Sequence, residues 1–326
     1  MSKQTETRQS YVSVVPTAPW VEYLPAFVEC ETYKDMADYR AHWAGNRAHS
    51  IGGSDAGVLM GLSLWRTPVQ LWLEKTGKAP QTEQDTDSWP LWFGHHAEAI
   101  LLDWYRLQHP EQEAYSGTFY TLKEKSASVH ANLDGIIIDE EHDTPGVLEF
   151  KTSRSWSMWH DENGDVIIPP AYLAQVDHYM LITHWSWARF VVMVGGYEPF
   201  EITVNRSAER EAALVKAETG FIMAMRAPDK WQPEPVNADD IALLYPEPGE
   251  KLETVPESEA DEFTKTARKL KTLRETMKKE KQEAEKLNNT LAVMVGENAG
   301  IEHDGLRVTL GTRAGKRAKT VKISED

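Results

Sequence analysis

The clearest hydrophobic pattern in the chain is a pair of short runs rich in β-branched residues, at 131–138 and 147–151. Polar and turn-forming residues separate the two runs, and this combination predicts a β-hairpin with a long polar loop. Because residues two apart on a strand share a face, Glu149 and Lys151 should point the same way. Asp134 falls within the first predicted strand, beside a glycine that permits the close approach of another group.

The polar face of this hairpin has two interpretations. Two carboxylates and an ammonium group that converge on one sheet face are costly unless they bind something cationic, and hard oxygen ligands suit a divalent metal. The alternative is a solvated strand face with an ordinary Glu/Lys pair. The hairpin alone does not decide between them.

A helical pattern follows from the spacing of apolar residues at 94–105. Leu101, Leu102 and Tyr105 lie three, four and seven residues after Glu98, so Glu98 belongs to the apolar stripe of this helix. A carboxylate in that position must be paired or metal-bound, or its pKa must rise.

A second helix is predicted from the proline pair at 169–170 to about residue 182. Tyr172, Gln175 and Tyr179 fall at positions i, i+3 and i+7 and therefore share one face. Gln175 could hydrogen-bond a ligand there, or it could be an interfacial polar residue satisfied by the backbone.

The N-terminal third contains a glycine-rich turn. The pair at 52–53 precedes Ser54, which we expect to cap a short helix through Leu59. Backbone N–H groups at this helix start, with Arg47 and the serine hydroxyl nearby, could bind an anion; a plain capped turn is the alternative. Further on, Thr67 and Gln70 form the capping-box pattern of another helix start.

Helices and strands both occur along the chain, which predicts an α/β (α+β) protein. We expect an N-terminal segment with a first helix at 1–44, a core at 45–230 and a proline-rich linker at 231–256. The remaining 257–326 should hold a long helix, a small β-hairpin around Asp304 and a basic tail.

Composition narrows the possible chemistry. Cys30 is the only cysteine, so internal disulfides, thiolate zinc sites and cysteine-ligated iron–sulfur clusters are excluded. No run of eighteen apolar residues predicts a membrane span, and the first ten residues lack the apolar region of a secretory signal. We therefore expect a cytoplasmic protein without membrane contact.

Charge is distributed unevenly. The chain carries a net charge of −16, yet residues 261–322 hold fifteen Lys and Arg against nine Asp and Glu. The acidic remainder argues against a surface that coats nucleic acid generally. A basic C-terminal region is compatible with DNA contact in a restricted place.

Several of these features occur together in the order of a known family. The chain resembles the D…(E/D)-x-K nucleases of the lambda-type phage exonuclease family, the YqaJ-like viral recombinases. The resemblance covers about residues 45–205. It rests on an ordered set of motifs: Ser50-Ile51-Gly52-Gly53-Ser54-Asp55, Thr67-Pro68 with Trp72-Leu73-Glu74-Lys75-Thr76-Gly77, Gly94-x-x-x-Glu98, Asp134, Glu149-Phe150-Lys151, and Ala171-Tyr172-x-x-Gln175-Val176-x-His178-Tyr179.

This resemblance implies a restriction-endonuclease-like core, with a central mixed sheet flanked by helices. It also implies an enzyme, a Mg²⁺- or Mn²⁺-dependent DNA exonuclease with two metals per active site. The family degrades duplex ends in the 5′→3′ direction for recombination. Lys151 would position or deprotonate the attacking water, with a pKa lowered by burial, and Gln175 would orient that water or a phosphate. The implied metal ligands are Glu98, Asp134, Glu149 and the backbone carbonyl of Phe150.

The resemblance also implies how DNA ends are bound. Arg47 and Ser54 match the positions that hold a terminal 5′-phosphate, with Arg154 and Tyr179 as further DNA contacts. Duplex DNA ends are the implied substrate, and a single-strand annealing protein and a ring-shaped homotrimer are the implied assemblies. The cytoplasm of a bacterial host is the implied location for a phage- or prophage-encoded protein.

Two rival functions remain. One is a nuclease of the same superfamily with a different action, either a structure-specific endonuclease or a CRISPR-type end-trimming nuclease. The other is a non-catalytic DNA-binding or recombination adaptor in which the helical region at 257–295 docks a partner.

Overall fold

The computed structural model describes residues 18–63, 65–79, 88–124, 128–247, 254–313 and 316–325. The chain forms two compact units, Met1–Glu247 and Pro248–Asp326. The boundary between them falls within the predicted linker, while the four-part division remains a prediction. Residues 1–17 of the N-terminal segment and residues 80–87 lie outside the described residues.

A five-stranded mixed sheet forms the centre of the first unit, in the order β2-β5-β6-β7-β8. Its strands β6 and β7 run parallel, whereas the other neighbours run antiparallel. Strands β1, β3 and β4 form a second, antiparallel sheet. The strands are β1 (Val28–Thr32), β2 (Glu113–Ser116), β3 (Tyr120–Glu124), β4 (His130–Ala131), β5 (Gly135–Ile138), β6 (Gly146–Ser153), β7 (Trp187–Val194) and β8 (Phe200–Asn205).

Helices cover both faces of the central sheet. Apolar residues of α4 (Trp89–Gln108) pack with Leu148 and Phe150 on one face, and residues of α5 (Pro170–Thr183) pack with Val147 and Phe190 on the other. The predicted fold class, a central mixed sheet flanked by helices, is therefore confirmed. The helices of this unit are α1 (Met36–His49), α2 (Gly53–Leu59), α3 (Pro68–Lys75), α4 (Trp89–Gln108), α5 (Pro170–Thr183), α6 (Ala208–Arg226) and α7 (Ala238–Leu244), together with 3-10 turns at Pro19–Tyr23 and Trp156–Met158.

The predicted hairpin is formed by β5 and β6, with Gly135 opposite Leu148 and Ile136 opposite Val147. The first run, however, does not form a single strand. Its start is β4, which pairs with β3 in the second sheet, and only its end is β5. Asp134 consequently lies just before β5 rather than within a strand, because the chain passes from one sheet to the other there.

The helix starts agree with the sequence in one case and differ in another. Thr67 caps α3 as predicted, since its hydroxyl accepts from the Gln70 N–H and the Gln70 side chain accepts from the Thr67 N–H. The expectation that Ser54 caps α2 is wrong. Gly52 is the N-cap, and the Asp55 carboxylate accepts from the Gly52 N–H at 3.2 Å. Ser54 lies inside the first turn, where its side chain is exposed.

Glycines bring α2 unusually close to α5. A Cβ atom on Gly53 would lie 2.3 Å from the Tyr179 ring, and one on Gly57 would lie 3.0 Å from the Cβ of Ala171. Both distances leave no room for a side chain at these two positions. The sequence pattern alone did not indicate this contact, because it joins residues more than a hundred positions apart.

Replacement of Gly53 by Ala is expected to destabilise the first unit by about 1–3 kcal/mol, because the buried Tyr179 ring must move to avoid the added methyl group. Urea unfolding of the full chain measures this change. Gly220, within α6, is the matched control, since a Cβ there would meet no atom within 4 Å. Gly220→Ala should stabilise the chain by up to about 1 kcal/mol through helix propensity. Equal effects of the two substitutions would contradict the close α2–α5 contact.

The second unit contains one long helix and a small sheet. Helix α8 spans Glu257–Val295, and β9 (Gly300–His303), β10 (Leu306–Arg313) and β11 (Lys316–Glu325) form an antiparallel sheet in the order β11-β10-β9. The predicted hairpin around Asp304 is present. The prediction of a basic tail is wrong, because this segment forms strand β11 and pairs with β10. Among the described residues, no helix combines the length and apolar character that a membrane span requires.

Candidate active site

Glu149 lies at the centre of the candidate site. It occupies the middle of β6 and is fully buried. Its Oε1 atom accepts from the Gln175 amide nitrogen at 2.7 Å and from the Lys151 ammonium group. Its Oε2 atom is also buried and has no hydrogen-bond partner among the described residues. A buried carboxylate oxygen without a donor is costly, so this atom marks a place for a positively charged or hydrogen-bonding ligand.

The side chains of Lys151 and Gln175 are hydrogen-bonded to each other and to Glu149. Lys151 Nζ donates to the Gln175 amide oxygen at 3.2 Å and lies 4.7 Å from the centre of the Tyr172 ring. The Gln175 amide nitrogen also donates to the Tyr179 hydroxyl at 3.0 Å. The face of α5 predicted from the i, i+3, i+7 spacing therefore points at the hairpin strand, and Gln175 bonds side chains rather than backbone.

Asp134 meets β6 from the adjacent turn. Its Oδ2 atom accepts from the backbone N–H of Phe150 at 3.0 Å. This bond fixes the carboxylate beside the strand position that separates Glu149 from Lys151. The Phe150 carbonyl as a metal ligand stays a prediction.

Burial and the negative charge of Asp134 raise the pKa of the other two carboxyl groups of the site, Glu98 and Glu149. Burial, together with the charges of Asp134 and Glu149, raises the pKa of Glu98 to about 9. Burial and the Asp134 charge raise the pKa of Glu149 to about 8. Burial also raises the pKa of Asp134, against the opposing effect of Lys151. Such repulsion is the electrostatic condition that a cation relieves.

The pKa of Lys151 shifts opposite to the predicted direction. Burial alone lowers the pKa of this ammonium group, but the carboxylates of Glu149 and Asp134 outweigh it and raise the pKa. Because the lysine is flanked by negative charge, its protonated form is favoured in this arrangement.

Glu98 approaches the site from the face of the central sheet that α4 covers, opposite to α5. It is half-buried on α4, which packs against the Leu148 and Phe150 face of the sheet, whereas Glu149 and Lys151 face α5. Within the described parts of the chain, no three His, Cys, Asp or Glu side chains converge into a formed metal site. By chemistry the donor set nonetheless suits a hard divalent cation, since it combines carboxylate oxygens with a buried orphan oxygen.

A second charged cluster supports the Gly52 turn. The buried Asp55 carboxylate lies 2.8 Å from both Lys75 Nζ and an Arg66 guanidinium nitrogen. Lys75 Nζ also donates to the backbone carbonyls of Arg47, at 2.5 Å, and Ser50, at 2.8 Å. The cluster therefore fixes the backbone at the end of α1.

The predicted DNA-contacting residues occupy different environments. Burial lowers the pKa of Arg47, against the opposing charge of Asp55. Ser54 and Arg154 are exposed, whereas Tyr179 is only 4% exposed and lies beneath Gly53. Their contacts with DNA stay predictions.

Two residues near the candidate site, Tyr39 and Lys75, were not predicted from the sequence as part of it. Tyr39, on α1, lies close enough to Asp134 and Glu98 that their charges, added to burial, raise its pKa. No local pattern in the sequence marks Tyr39, because these charges lie on distant segments of the chain. Lys75 was part of a quoted motif, but its contact with Asp55 spans twenty residues and left no local signal.

A family model, a curated relative and several solved structures are similar to this chain. Residues 42–186 match the family model of the YqaJ-like viral recombinase domain, which confirms the resemblance found in the sequence. The chain is 31% identical over 186 residues to the uncharacterized protein YqaJ of Bacillus subtilis (strain 168). The match covers 56% of this chain and 55% of that relative, so the chain spans about half of the relative's length.

Solved structures similar to the chain include two exonucleases. The alkaline exonuclease LHK-Exo from Laribacter hongkongensis is 15% identical, with a TM-score of 0.46, and the match covers 58% of this chain and 94% of that one. A phage-related exonuclease from Haemophilus somnus 129PT is 11% identical, with a TM-score of 0.36, and the match covers 56% and 95%.

Proposed function

We propose that the protein is a divalent-metal-dependent DNA exonuclease that hydrolyses phosphodiester bonds from duplex ends in the 5′→3′ direction during phage-type recombination. The observation that carries the proposal is the buried, unpartnered Oε2 atom of Glu149, surrounded by Asp134, Lys151 and Gln175 in a viral recombinase domain. A fully buried carboxylate with one free oxygen is costly for a purely structural residue.

The metal-binding residues in this proposal are oxygen donors. Glu98, Asp134, Glu149 and the backbone carbonyl of Phe150 would hold Mg²⁺ or Mn²⁺, two per active site. A bound divalent cation supplies charge stabilisation for the transferring phosphoryl group and lowers the pKa of coordinated water.

The remaining site residues would act on the water and the phosphate. The Lys151 ammonium group, which donates to Glu149 and Gln175, is placed to donate a hydrogen bond to a phosphate oxygen or to the attacking water. Gln175 holds both Glu149 and Lys151, so it would keep their separation fixed while the water is oriented.

The preference for DNA ends would come from the end of α1 and the start of α2. Arg47 and Ser54 would bind a terminal 5′-phosphate, with Arg154 as a more distant contact and Tyr179 as support. A guanidinium group suits this role because it can donate two parallel hydrogen bonds to a phosphate. Arg47 is also close enough to Tyr179 for the two groups to interact electrostatically. Burial and the charges of Glu149 and Asp134 raise the pKa of Tyr179 in turn.

Partners and location are proposed from the family alone. We include a ring-shaped homotrimer, a single-strand annealing protein as a recombination partner, and the cytoplasm of a bacterial host.

The proposal predicts that Mg²⁺ is needed to degrade linear duplex DNA and that closed circular DNA stays intact. Thermal unfolding supplies an independent readout, since a cation at a hundred times its Kd should stabilise the chain by about 2.7 kcal/mol. Glu149→Gln should remove both effects. Glu201→Gln is the matched control. Glu201 lies on β8, and its carboxylate pairs with His109 and Arg189 rather than with the residues of the candidate site.

The other outcomes identify the rival functions. Nicking of closed circles would indicate an endonuclease of the same superfamily. DNA binding without cleavage, and without stabilisation by Mg²⁺ or Mn²⁺, would indicate a non-catalytic adaptor.

A further inference from the structure

Helix α8 concentrates positive charge in a chain that is otherwise strongly acidic. The whole chain carries a net charge of −16. Between residues 265 and 281, however, α8 holds eight Lys or Arg and only two acidic residues, Glu275 and Glu280. A protein that acts on a polyanion gains affinity from such a region, because the acidic remainder repels the same ligand.

Four of these cations form one line along the helix. Lys271, Arg274, Lys278 and Lys281 follow at i, i+3, i+7 and i+10, so they lie on a single face. We call this set the α8 basic stripe. All four side chains are exposed, and in the part of the chain that the structure describes none of them is in an ion pair. Glu275 borders the stripe, and no acidic residue lies on it between its ends.

The other cations of the helix are arranged differently. Lys265, Arg268, Lys269 and Lys279 lie on the opposite side, where Asp261, Glu262, Glu280 and Glu283 are interspersed with them. Opposite charges that alternate on one face are typical of a solvated helix surface. The two faces therefore have the same number of cations but a different local charge.

The dimensions of the stripe match a nucleic acid backbone. Ten residues of α-helix span about 15 Å. Duplex DNA carries one negative charge per about 1.7 Å of its axis, so roughly nine phosphates lie along that length. Four flexible cations can each reach a phosphate over this distance without any base-specific geometry.

We propose that the α8 basic stripe binds the phosphate backbone of duplex DNA and so holds the substrate of an otherwise acidic enzyme. The inference rests on the proposed DNA-directed function. Its contribution is electrostatic and independent of sequence, because phosphate contacts position a protein on DNA without reading bases.

The test compares two full-length variants that each lose four positive charges. One replaces Lys271, Arg274, Lys278 and Lys281 by Gln, and the other replaces Lys265, Arg268, Lys269 and Lys279 by Gln. Binding to a labelled blunt duplex is measured in chelator between 50 and 200 mM salt. For the stripe variant, the slope of log K against log salt should become shallower by about 3.6, and the control should change much less. Circular dichroism checks that α8 remains helical in both.

The remaining outcomes separate the possible failures. Equal loss of slope in both variants would overturn the stripe and indicate a general charge effect. An unchanged slope in the stripe variant, with wild-type binding and cleavage intact, would overturn the inference while the nuclease proposal stands. A wild-type chain that neither binds nor cleaves DNA would reject the proposed function, and the inference with it.

A second copy of the chain is the competing occupant, because exposed apolar residues such as Leu270, Leu273 and Met277 lie beside the stripe. Sedimentation without DNA tests this alternative. A stripe substitution that changes the mass of the assembly but leaves the DNA-binding slope unchanged would assign the stripe to self-association and overturn the inference.

Discussion

Glu149→Gln is expected to reduce nuclease activity by a factor of about a thousand or more, which corresponds to roughly 4 kcal/mol of lost transition-state stabilisation. The amide keeps the volume of the carboxyl group and can still accept from Gln175 through its oxygen. It lacks the negative charge that would hold a cation at the buried Oε2 position. The measurement is the initial rate of acid-soluble nucleotide release from linear duplex DNA at saturating Mg²⁺.

The fold of this variant should survive. Lys151 retains the Asp134 carboxylate as a nearby negative charge, and burial of one fewer acidic group offsets the lost ion pair. In chelator, the unfolding midpoints of the variant and the wild type should therefore lie close together. Glu201→Gln should leave the rate of nucleotide release within about twofold of the wild type. Retention of wild-type activity by Glu149→Gln would remove Glu149 from the catalytic site.

Much of the site could be predicted because its parts follow local periodicities. Alternation along β6 placed Glu149 and Lys151 on one face, and the spacing of Tyr172, Gln175 and Tyr179 placed these three on one face of their helix. The structure brings the two faces together. Both patterns depend only on neighbours along the chain. The ordered motifs then indicated which family uses them together.

The parts that could not be predicted depend on contacts between distant segments. Asp134 lies outside a strand because the chain passes from one sheet to the other there. Gly52 rather than Ser54 is the N-cap of α2, because the Asp55 carboxylate accepts a hydrogen bond from the Gly52 N–H. The basic C-terminal segment was predicted as a tail because only its pairing with β10 makes it a strand, and that pairing is not visible in the segment itself. The direction of the Lys151 pKa shift likewise required the positions of both carboxylates.

Asp55→Asn is expected to destabilise the first unit by about 3–5 kcal/mol at neutral pH, the range for breaking a buried ion pair from one side. Asp55 is 1% exposed and neutralises two cations, Lys75 and Arg66, within 2.8 Å. The amide removes the negative charge beside the buried Lys75 ammonium, which keeps its hydrogen bonds to the backbone carbonyls of Arg47 and Ser50. Urea unfolding measures the loss. The matched control is Asp177→Asn, which should cost less, because the Arg210 partner of Asp177 is 36% exposed and water can solvate it.

The dependence on pH distinguishes this ion pair from a packing defect. Burial alone would raise the pKa of Asp55, but Lys75 and Arg66 outweigh it and lower the pKa below its usual value. A carboxyl group with a lowered folded-state pKa stabilises the protein above its unfolded pKa, near 3.9, and this contribution disappears as the pH falls through the folded pKa. The wild type and Asp55→Asn should therefore differ most near pH 7 and converge below about pH 4. A difference that is the same at pH 7 and pH 3 would show that the substitution acts through packing rather than through the charge of Asp55.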